Sequence, residues 1–216
     1  MTAARARTPA DSAARFLPER RSLPALREAA KHCQGCPLYK NATQTVFGAG
    51  SVRSRVVLVG EQPGNEEDLK GEPFVGPAGR LLDEALERAG VDRKTSYVTN
   101  AVKHFKWEAQ GTRRLHKKPG AREITACLPW LEVEIDLLKP EVLVLLGATA
   151  VQAVLGSGVK ISQERGKVVE SRFSPTTLLT VHPSSLLRLP PDADREAEMD
   201  RFVAELRIAA KLLARR

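Results

Sequence analysis

The chain has 216 residues, 42% of them hydrophobic, which suits one compact domain with a sizeable core. Its 34 Lys and Arg against 26 Asp and Glu favour a polyanion partner such as nucleic acid, although solubility alone can also explain the excess. No window approaches about 18 apolar residues and no apolar run follows the basic N-terminus, so we expect neither a membrane span nor a signal peptide. A soluble, intracellular, cytoplasmic and nucleoid-associated monomer is the expectation.

The N-terminal part of the chain divides into an arm and the start of a domain. Residues 1–21 combine prolines, alanines and scattered charge without periodicity, and we predict a mobile basic arm there. Ser22 is a suitable N-cap for a short helix that runs to His32. We expect residues 22–216 to form a single domain.

Strand and helix patterns alternate along this domain. Short apolar runs rich in β-branched residues predict four strands, at residues 55–60, 96–100, 141–146 and 177–181. Apolar residues at helical spacing predict helices at residues 77–89, 124–138, 147–155 and 195–214. Pro129 should kink or begin the second of these helices, because it lacks an N–H donor. The alternation predicts an α/β fold, a three-layer αβα sandwich around a central, mostly parallel four-stranded sheet.

A long polar segment interrupts the pattern at residues 103–122. It holds seven Lys or Arg and a single acid, Glu108. We predict a loop, and loops of this length inside a compact domain are usually functional. The loop contains His116 within the sequence GTRRLHKKPG. Considered alone, His116 can be a phosphate contact, a metal ligand or a reactive group.

Ligands of parallel α/β sheets bind beyond the carboxyl ends of the strands. The segments at three such ends are GEQPG at 60–64, Asn100 with the basic loop, and VHPSSLLR at 181–188. GEQPG makes a tight turn that presents Glu61 and Gln62, although an ordinary turn with solvated polar residues is the alternative. It lacks the glycine and Lys-Ser/Thr patterns of phosphate loops. His182 is either a structural contact or a functional group in the cleft.

Three cysteines offer soft metal ligands. Cys33 and Cys36 form a C-x-x-C pair, which is the usual local clamp for zinc or an iron–sulfur cluster, and Cys127 is a third thiol. Three unligated buried cysteines are the alternative. A fourth ligand is needed: His32 adjoins Cys33 and would be strained, whereas His104 is chemically reasonable because imidazole can replace a thiolate on iron.

The motifs form an ordered set that resembles the uracil-DNA glycosylase superfamily over roughly residues 25–210. The set is GEQPG, GEPFVGPAGR at 71–80, YVTNAVKH at 97–104, LLGAT at 145–149 and VHPSSLLR. The cysteines resemble those of the iron–sulfur members. The segment TRRLH is similar to the Lys-Arg-Arg-Ile-His loop of the UdgX type. Thr112 replaces the first lysine of that loop, and Asn65 stands where the family usually has an acid.

The resemblance implies a [4Fe–4S] cluster and a substrate. Its ligands would be the three cysteines Cys33, Cys36 and Cys127 together with His104, a position that is cysteine in related iron–sulfur glycosylases and histidine in the UdgX type. The implied partner is uracil-containing DNA, from which the enzyme takes uracil out of the strand and into a pocket.

The resemblance also implies roles for the pocket residues. Phe74 resembles the aromatic residue that stacks on the base, and Asn100 resembles the amide that reads the uracil edge. His182 resembles the histidine that donates toward O2 as charge develops on the leaving base. Gln62 is expected to contribute to substrate binding.

In the UdgX type, the loop histidine captures C1′ of the sugar and links the protein covalently to DNA; His116 occupies that position. Glu61 would accept a hydrogen bond from the imidazole, and Arg114 would hold the loop or a phosphate. The alternative is a conventional iron–sulfur glycosylase that uses water and releases uracil and an abasic site. A zinc-stabilised nucleic-acid-binding module is a lower alternative. A redox sensor explains neither Asn100 nor His182.

Overall fold

The structure is a computed structural model that describes residues 12–214. Residues 1–11 of the predicted arm lie outside the described residues. The described part of the predicted arm, which begins at Ser12, packs against the domain. Ser12 caps a 3₁₀ helix over Ala13–Phe16, and Ala13 is fully buried in the core. The packed domain therefore begins before residue 22, since the alanine-rich segment supplies a small side chain that fits against the core.

Seven strands and eight α-helices are found among the described residues. The strands are β1 (Val56–Gly60), β2 (Ser96–Asn100), β3 (Trp107–Gln110), β4 (Arg113–His116), β5 (Val142–Leu146), β6 (Val168–Ser171) and β7 (Ser174–Thr180). The helices are α1 (Leu23–Ala30), α2 (Asn65–Lys70), α3 (Pro77–Ala89), α4 (Ala121–Leu138), α5 (Ala148–Leu155), α6 (Ile161–Glu164), α7 (Ser184–Leu187) and α8 (Arg195–Ala214). None of these helices is long and apolar enough to cross a bilayer.

The central sheet has the order β2-β1-β5-β7-β6. The first four strands are parallel, and β6 pairs antiparallel with β7. The α/β class and the mostly parallel sheet are confirmed, but the sheet has five strands rather than the predicted four. The additional strand, β6, is a partly exposed edge strand of four residues, so its sequence carries no buried apolar run.

The three layers follow from alternation along the strands. In β1, Val57 and Val59 pack into one core with α1, α4 and α5, while Val56 and Leu58 pack into a second core with α3 and α8. Every residue of β1, β2 and β5 is buried, as expected for strands covered on both faces.

Two local predictions require correction. The basic segment is not a plain loop: β3 and β4 form an antiparallel hairpin that turns at Gly111, whose φ of 58° suits a two-residue turn. The hairpin is largely polar on both faces, so it lacks the apolar alternation that identifies strands. Helix α4 begins at Ala121 and contains Pro129, so the alternative in which Pro129 begins the helix is wrong. The Glu123 carboxylate accepts a hydrogen bond from Gly120 N at 2.6 Å and caps the first turn.

Candidate active site

A cavity of about 380 Å³ opens at the carboxyl ends of β1 and β2 and beside the segment that follows β7. Its walls bring together five residues that the sequence placed at the site: Gln62, Phe74, Asn100, His116 and His182. They come from five separate segments, so only the fold explains their proximity.

Gly60, the last residue of β1, lies directly against the side chains of Phe74 and Asn100. A Cβ at this position would collide with Asn100 Oδ1 and would lie 2.6 Å from Phe74 Cζ. Asn100 is 3% exposed, so its amide is held at the end of β2 with little room to move. A glycine is therefore required for both side chains to enter the pocket, a role that the sequence patterns did not indicate.

Phe74 adopts a strained backbone conformation. Its φ is 58°, in the left-handed region that non-glycine residues rarely occupy. The ring is buried and lies 6.1 Å from the His182 ring, with 27° between the two planes. Strain of this kind persists where the surrounding packing over-determines a conformation, as it does at ligand sites.

The hydrogen bonds of His182 define its tautomer. The backbone N–H of Ser184 donates to His182 Nδ1 at 3.2 Å, so Nδ1 carries no proton in the neutral ring. The proton of the neutral ring is then on Nε2, which makes Nε2–H a donor. Burial lowers the pKa of His182 to about 4, with smaller contributions from Arg188 and His116, so the ring is neutral at pH 7. Gly147 makes room for this residue, since a Cβ there would lie 2.8 Å from His182 Cβ.

His116 lies at the end of β4 between two side chains of the GEQPG turn. Its Nε2 is 3.4 Å from Glu61 Oε1 and 2.9 Å from Gln62 Nε2. Burial lowers the pKa of His116, while Glu61 opposes that shift. Thr149 Oγ1 donates to the other carboxylate oxygen, Glu61 Oε2, at 2.5 Å. The threonine therefore leaves Oε1 as the oxygen that faces the imidazole.

Gln62 holds the base of the hairpin. Its Oε1 accepts from Lys106 N at 3.1 Å, and its Nε2 lies 3.2 Å from Lys106 O and 3.0 Å from Lys117 O. Together with His116 Nε2, these two carbonyl oxygens place three acceptors around the Gln62 Nε2 group, which has only two hydrogens to donate. Gln62 lines the pocket, but its polar atoms position the loop.

Arg114 fastens the hairpin to α2. Its guanidinium donates to the fully buried Asp68 at 2.6 Å and to Asn65 Oδ1 at 2.7 Å. It also lies 5.4 Å from the ring centres of Phe105 and Trp107. The residue that departs from the family pattern, Asn65, thus retains an acceptor for Arg114. Of the two roles expected for Arg114, the geometry supports holding the loop.

Glu67 and Arg188 also line the pocket, although the sequence patterns indicated a role for neither residue. The Glu67 carboxylate accepts from Gly64 N at 3.0 Å and from Gly76 N at 2.8 Å, which ties the GEQPG turn to the segment that carries Phe74. Arg188 lines the pocket, and within residues 12–214 its guanidinium makes no hydrogen bond or ion pair. The sequence signal that could have identified Arg188 is its position in VHPSSLLR, the segment that follows a buried strand.

None of the three cysteines lines the pocket, and Cys127 contacts the segment that follows β2. All three are buried, Cys33 Sγ accepts from Trp130 Nε1 at 3.2 Å, and Cys127 Sγ accepts from Lys103 N at 3.2 Å. Burial raises the pKa of Cys127, and the Cys36 and Cys33 thiols raise it further. N–H donors aimed at sulfur are typical of thiolates that bind metal.

His104 borders the same group. It lines a cavity of about 210 Å³ together with Cys33, and burial lowers its pKa to about 4. In the described part of the chain, no group of three His, Cys, Asp or Glu converges on a single ion. A four-iron cluster has a different requirement, because each ligand binds its own iron atom. Three buried thiols and a neutral imidazole in one region fit a cluster in donor type.

Comparison with known proteins agrees with this arrangement. Residues 47–207 match the family described as the uracil DNA glycosylase superfamily. The chain is 38% identical over 179 residues to the Type-4 uracil-DNA glycosylase of Thermotoga maritima, covering 82% of this chain and 87% of that protein. It is 38% identical over 172 residues to the Type-4 uracil-DNA glycosylase of Pyrobaculum aerophilum, covering 76% and 84% of the two chains. The Type-5 uracil-DNA glycosylase of Thermus thermophilus is 34% identical over 126 residues, covering 51% and 53%.

The family match spans most of the chain, and the Type-4 relatives are similar along most of their own length. The chain belongs to the uracil DNA glycosylase superfamily.

Proposed function

We propose that this protein is an iron–sulfur uracil-DNA glycosylase that releases uracil from DNA and leaves an abasic site. The observation that carries the proposal is the pocket, in which Asn100, Phe74 and a neutral, Nε2-protonated His182 face one cavity. The named relatives are glycosylases of this type, so the comparisons favour the water-using reaction over the covalent one implied by the loop sequence.

The proposed reaction assigns one task to each residue. Uracil leaves the base stack and enters the pocket against Phe74. The Asn100 amide both donates to O4 and accepts from N3–H, a pairing that cytosine does not offer. The bond between N1 and C1′ breaks, and its electron pair stays on uracil. His182 Nε2–H donates to O2, where the negative charge collects, and so lowers the barrier. Water adds to C1′ and transfers a proton to Glu61.

For the cluster, we propose the ligands Cys33, Cys36, His104 and Cys127. Buried thiols that accept N–H donors, and an imidazole on the wall of an adjoining cavity, support this set. When bound, such a cluster supplies a rigid cross-link, and none of the reaction steps above depends on its redox chemistry. The segment from Asn100 to His104 would then join the base-reading amide to the cluster.

A second candidate is covalent capture by His116. The observation in its favour is the contact of the His116 imidazole with Glu61 and its place in the wall of the uracil pocket. In this route Nε2 attacks C1′ in place of water, and Glu61 stabilises the imidazolium that forms. Against it, Gln62 lies within hydrogen-bond distance of the same nitrogen and competes for its lone pair.

One experiment separates the two routes. Purified protein is incubated with an end-labelled oligonucleotide that contains one uracil, and the products are divided in two. Alkali cleaves abasic DNA in the first half, and the second half is heated in detergent and run on a denaturing gel. The proposed function predicts strand cleavage at the uracil position without a heat-stable slow band.

A heat-stable slow band would support capture by His116 instead. In that case His116→Ser should remove the band but retain base release, because the smaller side chain lets water reach C1′. Without cleavage and without a band, the protein would not be a uracil-DNA glycosylase. An oligonucleotide with thymine at the same position is the control for base selectivity.

A further inference from the structure

Thr45 connects His104 to the end of helix α1. Its Oγ1 lies 2.7 Å from the carbonyl oxygen of Ala30 and 2.9 Å from His104 Nε2. A hydroxyl has one hydrogen, and a carbonyl oxygen can only accept. The hydroxyl hydrogen therefore goes to Ala30 O, and Thr45 Oγ1 is left as the acceptor for His104. It follows that His104 Nε2 carries a hydrogen and donates it.

This direction determines which nitrogen of His104 can bind a metal. With the proton on Nε2, the neutral ring has its free lone pair on Nδ1. Histidine ligands bind metal through one ring nitrogen and donate through the other to a fixed acceptor, which sets the ring orientation. We propose that Thr45 is a positioning residue for the iron–sulfur cluster, which holds His104 with the Nδ1 lone pair free for iron. This inference rests on the proposed cluster, but not on the glycosylase reaction.

The same carbonyl also positions a second proposed ligand. Cys33 N donates to Ala30 O at 3.0 Å, so one oxygen accepts both from the backbone of Cys33 and from Thr45. Ala30 is fully buried, and Cys33, Thr45 and His104 line one cavity. Thr45 therefore aligns His104 with Cys33 through a shared acceptor. This explains a polar side chain at a site where packing alone would accept valine.

The test compares Thr45→Val, which keeps the shape but removes the hydroxyl, with Thr45→Ser, which keeps the hydroxyl. Each full-length variant is purified without air, and iron and sulfide content, visible absorbance and the half-life of the absorbance in excess chelator are measured. We expect Thr45→Val to lose its cluster about 10-fold faster than the wild type, the size of effect seen when such supporting contacts are removed. Thr45→Ser should stay within about twofold of the wild type.

The same substitution in a His104→Cys protein distinguishes an effect on ligand positioning from an effect on packing. In His104→Cys the ligand is a thiolate, which has no tautomer to select, so adding Thr45→Val should have no further effect on cluster lifetime. An equal loss of lifetime in both backgrounds would overturn the proposal, as would a Thr45→Val protein with the wild-type lifetime. If the valine variant does not fold, Thr45→Ala answers the same question, because it also removes the hydroxyl and introduces no new group.

Uracil release is measured on the same samples. A wild-type protein that contains no iron and sulfide when purified without air would overturn the inference, while uracil release by that protein would leave the glycosylase assignment standing. Conversely, a cluster that depends on Thr45 in a protein that releases no uracil would support the inference and contradict the proposed function.

Discussion

Glu61 contacts His116, a residue of the pocket wall, with 3.4 Å between the carboxylate oxygen Oε1 and the imidazole Nε2. The two residues are far apart in sequence and meet because the hairpin β3–β4 folds back over the GEQPG turn. Thr149 and Gln62 hold the pair from either side. Other side chains therefore determine the orientation of this carboxylate, to which we assign the proton that water loses in the proposed reaction.

Thr149 should matter for the rate because its hydroxyl orients Glu61. Thr149→Val removes the 2.5 Å donor to Oε2, so the carboxylate can turn away from the pocket. We expect the single-turnover rate of uracil release to fall about 10-fold, as for the loss of one hydrogen bond to a charged group. Thr149→Ser keeps the donor and should stay near the wild-type rate. Equal rates for the valine and serine variants at matched iron content would contradict this role.

Gly60 should be intolerant of substitution because Asn100 and Phe74 occupy the space of a Cβ. We expect Gly60→Ala to reduce kcat/KM for uracil release by at least about 10-fold, since the displaced amide no longer meets the base edge. Gly158→Ala is the matched control, since no atom lies within 4 Å of a Cβ built there. A Gly60→Ala protein that keeps wild-type kcat/KM would show that Asn100 and Phe74 do not need the space that the glycine leaves.

His182 should make the fold less stable in acid. Its pKa is about 4 in the folded chain against an ordinary value of 6.5, so the unfolded chain binds a proton first as the pH falls. The stabilisation is complete above pH 6.5 and is lost progressively as the pH falls toward 4. Allowing for the partial exposure of the ring, the loss should be about 2 kcal/mol.

Denaturant titrations of the wild type and His182→Gln at several pH values measure this effect. The variant should lose less free energy of unfolding between pH 6.5 and 4 than the wild type does. His32→Gln changes an exposed histidine and is the control. If His182→Gln and the wild type had parallel pH dependences, the ring would not be held neutral by its surroundings.

Arg188 should contribute to DNA binding through a phosphate. Its guanidinium is exposed at the pocket rim and is unpaired within residues 12–214. We expect Arg188→Ala to weaken binding to uracil-containing and plain DNA alike, and to reduce the slope of log K against log salt by about one. Lys94→Ala, which lies before the amino end of β2, should leave the slope unchanged. A slope that is the same in Arg188→Ala and the wild type would contradict a phosphate contact.

The sequence was informative about residues that follow buried strands. Asn100 and His182 were expected at the cleft because apolar runs identify parallel strands, and ligands bind at their carboxyl ends. The same reasoning placed Glu61 and Gln62 beside them. Phe74 and His116 came from the resemblance to a family rather than from periodicity.

Roles that depend on the hairpin β3–β4 could not be predicted from the sequence, because the hairpin itself was not predicted. The hairpin β3–β4 is polar and exposed, so its pairing left no periodic signal, and the contacts of Gln62 with the hairpin base could not be foreseen. The pairing of Arg114 with Asp68 depends on the same hairpin. Gly60 and Thr149 act through distances of a few ångströms between separate segments, which no local pattern records.

We propose above all that this pocket reads uracil and releases it, and the proposal can be tested directly. Its most direct test is free uracil measured by mass spectrometry after incubating uracil-containing DNA with the wild type and with Asn100→Ala at equal iron content. We expect release by the wild type and a loss of about 10-fold to 100-fold in the variant, since the buried base edge loses its partner. Uracil release at the same rate from both proteins would contradict it.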